Sequence, residues 1–481
     1  MKVLFVTAEA SPLVKVGGLA DVVGSLPQAL SALGHEVCLI LPDYGGLNAN
    51  IHDVTPEFSP VEVSLMGRSE LATLKMTTLR GEITVYLVEN AHYFGGSEIY
   101  TDDDLERFLF FSLAIPDILV QLDWRPDVIH CHDWHASLVP LWLKEAGCLF
   151  PTVFTIHNLA YQGKFDYRFL AASGLSQVWQ KHVPDGAPIP PLNFMSQGIL
   201  LADIVTTVSS TYAAEITTPE HGEGLDRLLR YRQGELYGIV NGIDYEEYNP
   251  TTDPCLAANY NSAILEKRVV NKIALQGKSN LPQNPDVPLI GMISRLDEQK
   301  GFDLLLQAVD SLMGETKAQF VILGEGREHY HELLRKTEQR YPDRMAVFIA
   351  TDESLAHLIY GGSDVFLMPS HFEPCGLGQL IAMHYGAIPV VRRTGGLADT
   401  VEDTDANLAK GNGFVFQAYH PASLVEAVKR AEEAFYHKEA WRRLIMRNMA
   451  LDFSWGASAA GKYEDVYYKA MRLPRFAGND N

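Results

Sequence analysis

Residues 288–301, PLIGMISRLDEQKG, contain the pattern that decides the fold prediction. The apolar run Pro288–Ile293 predicts a buried strand, and a polar turn follows it. Apolar residues then recur at helical spacing over Phe302–Met313. A continuously apolar strand followed by a turn and a helix is typical of a parallel sheet that helices cover on both faces.

The same pattern recurs along most of the chain. At the start, the strand Lys2–Thr7 leads through a glycine-containing loop into helical spacing over Leu19–Leu33. Further strands are predicted at His35–Leu41, Val128–Cys131, Thr152–Ile156, Ile204–Val208, Leu236–Val240, Gln319–Leu323, Val347–Ala350, Val365–Met368 and Ala387–Val391. We therefore expect an α/β chain with two Rossmann-like, doubly wound domains that face a deep cleft. Ligands of such sheets bind outside the carboxyl ends of the strands.

Composition suggests where the domains begin and end. Tyr245–Pro288 is rich in Asn, Pro, Thr and Asp, so it is the best candidate for a connection between the two halves. We expect one domain over residues 1–244 and a second over residues 245–455. The remaining residues, 456–481, begin with a helical pattern that carries several tyrosines, and on pattern alone this tail fits either domain.

The overall charge excludes one class of function. The chain has 481 residues, of which 47% are hydrophobic, as expected for a protein that forms a core. Lys and Arg number 39 and Asp and Glu number 60, which gives a net charge of −21. This balance argues against a nucleic-acid-binding surface, although a local basic pocket for a phosphate stays compatible with it.

Cysteine usage and hydropathy indicate the compartment. The five cysteines are widely spaced and form no CxxC pair, so neither a disulfide framework nor a zinc site is indicated. The N-terminus becomes polar too soon for a secretory signal, and no window approaches the ~18 apolar residues of a membrane helix. We expect a cytoplasmic protein without membrane partners, or a stromal one if the chain is a mature plastid form.

The first candidate binding loop is Lys15–Asp21, with the sequence KVGGLAD. Gly17 and Gly18 allow backbone N–H groups to approach an anion closely, and the following helix N-terminus and Lys15 add positive potential. An ordinary tight turn with a solvated lysine explains the same residues equally well.

Two further loops of the first half are rich in polar side chains. His130–His135 (HCHDWH) suggests a metal, but no distant ligand pair is present, so we favour hydrogen bonds to sugar hydroxyls. His130 itself fits a satisfied, half-buried histidine. His157 and Asn158 follow the next strand, and a helix N-cap is the alternative for Asn158.

The second half offers equivalent loops. In Ser294–Gly301, Arg295 and Lys300 are placed to neutralise one dianion, and two solvated cations on a surface loop are the alternative. Glu373 precedes a predicted helix, Leu380–Tyr385, and helix capping is its alternative role.

Backbone groups add to this candidate site. The N–H groups of Gly376 and Leu377 are placed to hold an anion or a sugar oxygen. Cys375 fits a small packed residue better than a nucleophile, because no paired base is evident. Thr394–Thr400 repeats the Gly-Gly turn of the first half.

Together these loops fit a ligand that carries a diphosphate and a polyol. A nucleoside diphosphate leaves as a stable anion, so no strong general acid is required. Catalysis would consist mainly of electrostatic stabilisation of the developing phosphate charge. Domain closure would exclude water and limit hydrolysis.

The motifs resemble those of bacterial glycogen synthases and plant starch synthases, which are retaining glucosyltransferases of the two-Rossmann-domain GT-B type. The resemblance rests on KVGGLAD at 15–21, HDWH at 132–135, TIHNLAYQG at 155–163, VNGID at 240–244, SRLDEQKG at 294–301, FEPCGL at 372–377 and RTGGLADT at 393–400. It implies transfer of glucose from ADP-glucose to the non-reducing end of an α-1,4-glucan such as glycogen or starch, with retained anomeric configuration and release of ADP. It also implies no metal or other cofactor, and a C-terminal helix that folds back on the first domain.

The resemblance implies roles for single residues as well. The residues with catalytic roles are His157, Asp133, Arg295, Lys300 and Glu373. The residues with substrate-binding roles are Lys15, Gly17, Gly18, Asp21, Asn158, Asn241, Cys375, Gly376, Leu377, Thr394 and Gly395. The chain departs from the family pattern at His371, where Arg is common, and at Thr351, where some bacterial members have an aromatic residue that packs on the adenine.

Other functions stay open at this point. A sucrose- or trehalose-forming transferase or a glucan phosphorylase has the same architecture, and the phosphorylase needs a lysine-bound pyridoxal cofactor. A non-catalytic protein that binds nucleotide sugars or glucans is a third hypothesis, which the presence of every charged motif position disfavours.

Overall fold

The computed structural model describes residues 1–45, 47, 58–189 and 191–474, and these residues divide into two compact units. The first unit contains residues 1–242 and the segment from Trp455 onward, and the second is Ile243–Ser454. Residues 475–481 of the predicted tail lie outside the described residues. Among the described helices, none has the length and apolar character needed to cross a membrane.

Within the described residues, the first unit has a nine-stranded sheet. Its strands are β1 (Lys2–Val6), β2 (Glu36–Pro42), β3 (Val61–Leu65), β4 (Arg68–Leu79), β5 (Ile83–Glu89), β6 (Val128–His132), β7 (Thr152–Ile156), β8 (Ile204–Thr207) and β9 (Leu236–Gly238). Their order across the sheet is β3-β4-β5-β2-β1-β6-β7-β8-β9. In this order, all neighbouring strands from β5 through β2 and β1 to β9 pair in parallel. Strand β4 is antiparallel to both of its neighbours, β3 and β5.

Helices connect these strands and cover the sheet. They are α1 (Gly18–Ala32), α2 (Ala91–Phe94), α3 (Asp104–Gln121), α4 (Asp133–Ala136), α5 (Val139–Glu145), α6 (Tyr167–Ala172), α7 (Leu175–His182), α8 (Phe194–Leu201), α9 (Ser210–Glu215) and α10 (Asp226–Tyr231). The central strands β1, β6 and β7 are almost wholly buried because helices pack on both of their faces. The order of the strands reverses between β1 and β6, so the loops after these two strands lie at a switch point of the sheet.

The second unit has a six-stranded parallel sheet in its described residues. Its strands are β10 (Leu289–Ile293), β11 (Gln319–Leu323), β12 (Met345–Phe348), β13 (Val365–Met368), β14 (Ile388–Arg392) and β15 (Phe414–Phe416). The order β12-β11-β10-β13-β14-β15 is that of a doubly wound Rossmann sheet, with its switch point between β10 and β13. Its helices are α11 (Arg268–Lys278), α12 (Phe302–Glu315), α13 (Glu328–Arg340), α14 (Glu353–Gly362), α15 (Gly378–His384), α16 (Gly395–Thr400), α17 (Pro421–Tyr436) and α18 (Lys438–Met449).

These sheets confirm the predicted α/β class with two Rossmann-like units. The antiparallel β3–β4 pair was not predicted. Along β3, buried and exposed residues alternate, because one face of this edge hairpin is solvated. The sequence pattern used for the prediction, a continuous apolar run, does not occur in such strands.

Residues 245–288, for which composition suggests a connection, instead fold into the second unit. Tyr260 is almost fully buried, and its hydroxyl donates to the carbonyl of Tyr385 at 2.6 Å. Nζ of Lys272, on α11, lies 2.7 Å from Oδ2 of Asp364. Part of the polar composition of this segment therefore reflects buried hydrogen bonds and ion pairs.

The C-terminal segment packs on the first unit. A π-helical turn over Gly456–Ala460 continues into α19 (Gly461–Arg472). Tyr463 and Tyr467 are fully buried, and the hydroxyl of Tyr467 lies 2.8 Å from Nδ1 of His130. Because His130 is on β6, this contact joins α19 to the centre of the first sheet.

Candidate functional site

At the switch point of the second sheet, the loops after β10 and β13 are joined by an ion pair. Nζ of Lys300 lies 2.9 Å from Oε1 and 2.7 Å from Oε2 of Glu373. The hydroxyl of Ser370 donates to Oε2 at 3.0 Å. Glu373 is only 4% exposed and the Lys300 side chain 17%. The structure therefore brings together two of the residues that the sequence singled out, and it fixes the carboxylate with three hydrogen bonds.

The second Gly-Gly turn supports the backbone of Glu373. Gly395 has a φ of +43°, and a Cβ added there would lie 1.8 Å from the carbonyl oxygen of Glu373. The N–H of Gly396 donates to that same oxygen at 3.1 Å. Thr394 is buried and precedes α16. Glycine is therefore required at 395 by close contact as well as by conformation.

The loop over Cys375, Gly376 and Leu377 is held by a residue that the sequence analysis missed. Nε2 of Gln379, on α15, donates to the carbonyls of Cys375 at 3.2 Å and Gly376 at 2.9 Å. Cys375 is 5% exposed, and Gly376 has a φ of +75°. A polar residue in the first turn of a buried helix is the sequence signal that points to Gln379.

Arg295 lies in the same loop as Lys300 but contacts other side chains. Its guanidinium lies 3.2 Å from Oε1 of Gln299 and 3.6 Å from Oδ2 of Asp297, and its side chain is half exposed. Oδ1 of Asp297 accepts the backbone N–H of Lys300 at 3.0 Å. This loop thus holds one cation in a buried pair and a second one at its surface.

In the first unit, the Lys15–Asp21 loop is organised by Glu9, which was not predicted. Oε2 of Glu9 accepts the N–H groups of Val16 at 2.8 Å and Gly17 at 2.9 Å, and Oε1 accepts the hydroxyl of Tyr100. The side chain of Glu9 is buried. The N–H of Gly17 thus donates to an internal carboxylate, and a role of Gly17 in ligand binding stays a prediction.

Lys15 itself is paired with Asp21 at the start of α1. Nζ of Lys15 lies 2.8 Å from Oδ1 of Asp21, and both side chains are partly exposed. Gly18 is the first residue of the helix, and a Cβ added there meets nothing within 4 Å. The predicted cation therefore stands at a helix N-terminus with open space beside the glycine.

His132, the last residue of β6, and His157, which follows β7, form a buried contact. Nδ1 of His132 lies 3.0 Å from Nε2 of His157. His130 bonds Tyr467 and, through Nε2, the hydroxyl of Thr155 at 2.6 Å, as expected of a satisfied structural histidine. Burial lowers the pKa of His157 to about 3 and that of His132 well below its usual range, so both rings are neutral near pH 7.

Asp133 lies between these histidines in sequence and adopts a left-handed backbone conformation, with a φ of +55°. Its Oδ1 accepts the backbone N–H of His157 at 2.7 Å. Burial and, to a smaller extent, the charge of Glu9 raise the pKa of this carboxyl to about 7, against the opposing effect of the N–H groups of His157 and Asn158. Asp133 consequently titrates near neutral pH.

The two asparagines of the predicted site differ in their surroundings. Oδ1 of Asn158 accepts the N–H of Ala160 at 3.1 Å in a turn, and no helix begins there, so the helix N-cap alternative is wrong. Asn241 follows β9 and is 5% exposed. Within the part of the chain that is described, its buried Oδ1 has no hydrogen-bond partner.

One cluster in the described residues has metal-ligand spacing, and it includes none of the predicted site residues. It consists of Asp253, Cys255 and His357. Oδ2 of Asp253 already accepts the hydroxyl of Tyr385 at 2.6 Å and lies 2.7 Å from Nδ1 of His357. Hydrogen bonds within the protein therefore account for this cluster.

Comparison with known families matches both halves of the chain. The model of the starch synthase catalytic domain matches residues 2–231, and the model of glycosyl transferases group 1 matches residues 276–443. The first match contains the Lys15–Asp21 loop and both histidine-containing loops. The second contains the Lys300–Glu373 pair.

Individual relatives extend the match over nearly the full length. The glycogen synthase of Moorella thermoacetica is 46% identical, with 99% of this chain and 98% of that protein covered. The catalytic domain of starch synthase IV from Arabidopsis thaliana, solved with ADP and acarbose, has a TM-score of 0.89 at 37% identity and covers 98% of this chain and 99% of that one. Sucrose-phosphate synthase from Thermosynechococcus elongatus shares the fold alone, with a TM-score of 0.60 at 17% identity and coverage of 97% and 98%. The chain therefore belongs to the glycogen and starch synthase family of GT-B glycosyltransferases.

Proposed function

We propose that the chain transfers glucose from ADP-glucose to the non-reducing end of an α-1,4-glucan, retains the anomeric configuration and releases ADP. The relatives named glycogen synthase and the starch synthase structure bound to ADP and acarbose support this activity. The observation that carries the proposal is the buried Lys300–Glu373 pair at a sheet switch point, because ligands of doubly wound sheets bind there.

In the second unit, Lys300 and Arg295 bind the diphosphate, and Glu373 accepts hydrogen bonds from hydroxyls of the glucosyl group. Lys300 is held by Glu373 at 2.7 Å, so its ammonium group is positioned before the donor arrives. A positive charge fixed beside the diphosphate stabilises the negative charge that develops on it as ADP leaves. The site of the glucosyl group is lined by Cys375, Gly376, Leu377, Thr394 and Gly395, and Gly395 also packs against the carbonyl of Glu373.

In the first unit, Asp133 and His157 act on the acceptor glucan and the reacting sugar. Both rings of the histidine pair are neutral, so His157 serves as a hydrogen-bonding group rather than as a cation. Lys15, Gly17, Gly18 and Asp21 belong to the loop assigned to the donor, with Gly17 acting through Glu9. Asn158 and Asn241 supply amide groups to the sugar, and the unpartnered Oδ1 of Asn241 is consistent with a ligand contact.

The test is a label-transfer assay with ADP-glucose or UDP-glucose as donor and glycogen as acceptor. We expect label in the polymer and release of one ADP per glucose, with ADP-glucose as the better donor. A labelled product of low mass would favour a sucrose- or trehalose-forming transferase. ADP-glucose binding without any transfer would favour a non-catalytic protein, and pyridoxal absorbance in the purified protein would favour a phosphorylase.

A further inference from the structure

The contact between His132 and His157 leaves one ring nitrogen of His132 in an unusual position. Nδ1 of His132 lies 3.0 Å from Nε2 of His157. Nε2 of His132 is buried and has no hydrogen-bond partner among the described residues. The ring is fully buried, with its centroid 4.9 Å from that of Phe5 and 4.0 Å from that of His130, so it cannot turn towards water without disturbing the core.

This arrangement decides which nitrogen carries the hydrogen. A neutral imidazole has one N–H donor and one acceptor nitrogen. A buried N–H without a partner costs a full desolvation penalty, and orphaned donors are rarer in proteins than under-satisfied acceptors. The hydrogen of His132 therefore lies on Nδ1, and His132 donates to His157. Since Nε2 of His157 accepts this bond, the hydrogen of His157 lies on its own Nδ1.

We propose that His132 is a positioning residue that fixes the ring and the Nδ1–H tautomer of His157, so that His157 presents a hydrogen-bond donor to the sugar. Nδ1 of His157 is available for such a contact, because it has no hydrogen-bond partner in the described chain. Unlike Nε2 of His132, it is not shut off in the protein interior. The backbone N–H of His157 donates to Asp133 at 2.7 Å, so the backbone is fixed and only the imidazole ring still has to be oriented. This inference rests on the proposed role of His157.

The variant test compares two replacements at the same position. His132→Phe keeps an aromatic ring beside Phe5 but removes the hydrogen-bond donor. We expect kcat to fall about tenfold to a hundredfold, the loss typical when a group that orients a histidine ring is removed. KM for ADP-glucose should stay near the wild-type value. His132→Asn places an amide near the former Nδ1 and should restore most of kcat. His130→Phe is the matched control, because the bonds of His130 run to Tyr467 and Thr155.

The direct test observes the tautomer in the wild-type enzyme. In protein with ¹⁵N-labelled histidine, the signals of His157 are assigned by their loss in His157→Gln. We expect a protonated Nδ1 and an unprotonated Nε2, and a mixture of tautomers in His132→Phe. A protonated Nε2 in the wild type, or equal kcat in His132→Phe and His130→Phe, would overturn the proposal.

One further variant separates this inference from the proposed function. His157→Ala should lose turnover if His157 contacts the sugar. Near-wild-type turnover of His157→Ala would remove the proposed role of His157 itself. Lost turnover in His157→Ala together with normal turnover in folded His132→Phe would overturn only the positioning role of His132.

Discussion

Nζ of Lys300 lies within 2.9 Å of both carboxylate oxygens of Glu373, and the two residues come from loops that follow different strands of the second sheet. The ion pair thus joins the end of β10 to the end of β13, where the carboxylate is buried and further bonded by Ser370.

Removal of Lys300 should destabilise the second unit. Lys300→Met leaves the buried carboxylate of Glu373 without its cation, and we expect a loss of about 3 kcal/mol in the free energy of unfolding. Arg295→Gln is the matched control, because Arg295 is half exposed, and it should change stability by under ~0.5 kcal/mol. Denaturant unfolding of both variants measures this difference. Equal losses would contradict the buried ion pair, and Lys300→Met combined with Glu373→Gln should recover part of the loss.

The two Gly-Gly turns should respond differently to alanine. Gly395→Ala meets the carbonyl of Glu373 at 1.8 Å in a left-handed conformation, so we expect a loss above about 2 kcal/mol or failure to fold. Gly18→Ala has open space and should leave the melting temperature near that of the wild type while it raises KM for ADP-glucose. A thermal melt and a donor titration of each variant measure these effects. A stable Gly395→Ala would show that the turn does not hold Glu373.

Asp133 should destabilise the protein as pH rises. Its pKa is about 7 when folded and near 3.9 when unfolded, so the folded state binds more protons between these values and stability falls from pH 4 to pH 7. Asp133→Asn keeps an acceptor for the N–H of His157 and tolerates the positive φ. The variant should be more stable than the wild type at pH 8, by at most about 4 kcal/mol, and the difference should vanish near pH 4. A pH-independent difference would contradict the raised pKa.

His135 should act in the opposite direction. Burial lowers its pKa to about 3, so the unfolded state binds a proton that the folded state does not, and stability falls as pH drops from 6.5 towards 3. His135→Phe keeps an aromatic ring against Tyr100 and Phe108. It should reduce the slope of the free energy of unfolding against pH in that range by the amount that corresponds to uptake of about one proton on unfolding. Unfolding measured at several pH values gives the slope, and an unchanged slope would show that His135 is protonated in the folded state.

Much of the fold follows from apolar runs because buried parallel strands leave a local signal. Thr152–Ile156 and Gln319–Leu323 have the predicted bounds. The hairpin Val61–Leu79 lacks that signal, since β3 alternates between buried and exposed residues and β4 is only partly buried. Residues 245–288 look like a connection because their composition is polar, and only tertiary contacts show that they are packed.

The candidate site was less predictable, because its contacts join residues that are distant in sequence. Strand ends identified Lys300 and Glu373 as candidates, but their pairing depends on β10 and β13 being neighbours. Glu9 lies six residues before Lys15, where the predicted binding loop begins, and nothing local indicates that it bonds the N–H of Gly17. The His132–His157 contact likewise depends on β6 lying beside β7.

We propose that Lys300 and Arg295 stabilise the charge that develops on the diphosphate as ADP leaves. Turnover of ADP-glucose with a glycogen acceptor, measured for folded Lys300→Ala and Arg295→Ala, tests it most directly. Loss of one charge-stabilising group typically costs several kcal/mol in the transition state, so we expect each variant to lose turnover by about two orders of magnitude or more. Near-normal turnover in both variants would contradict the claim.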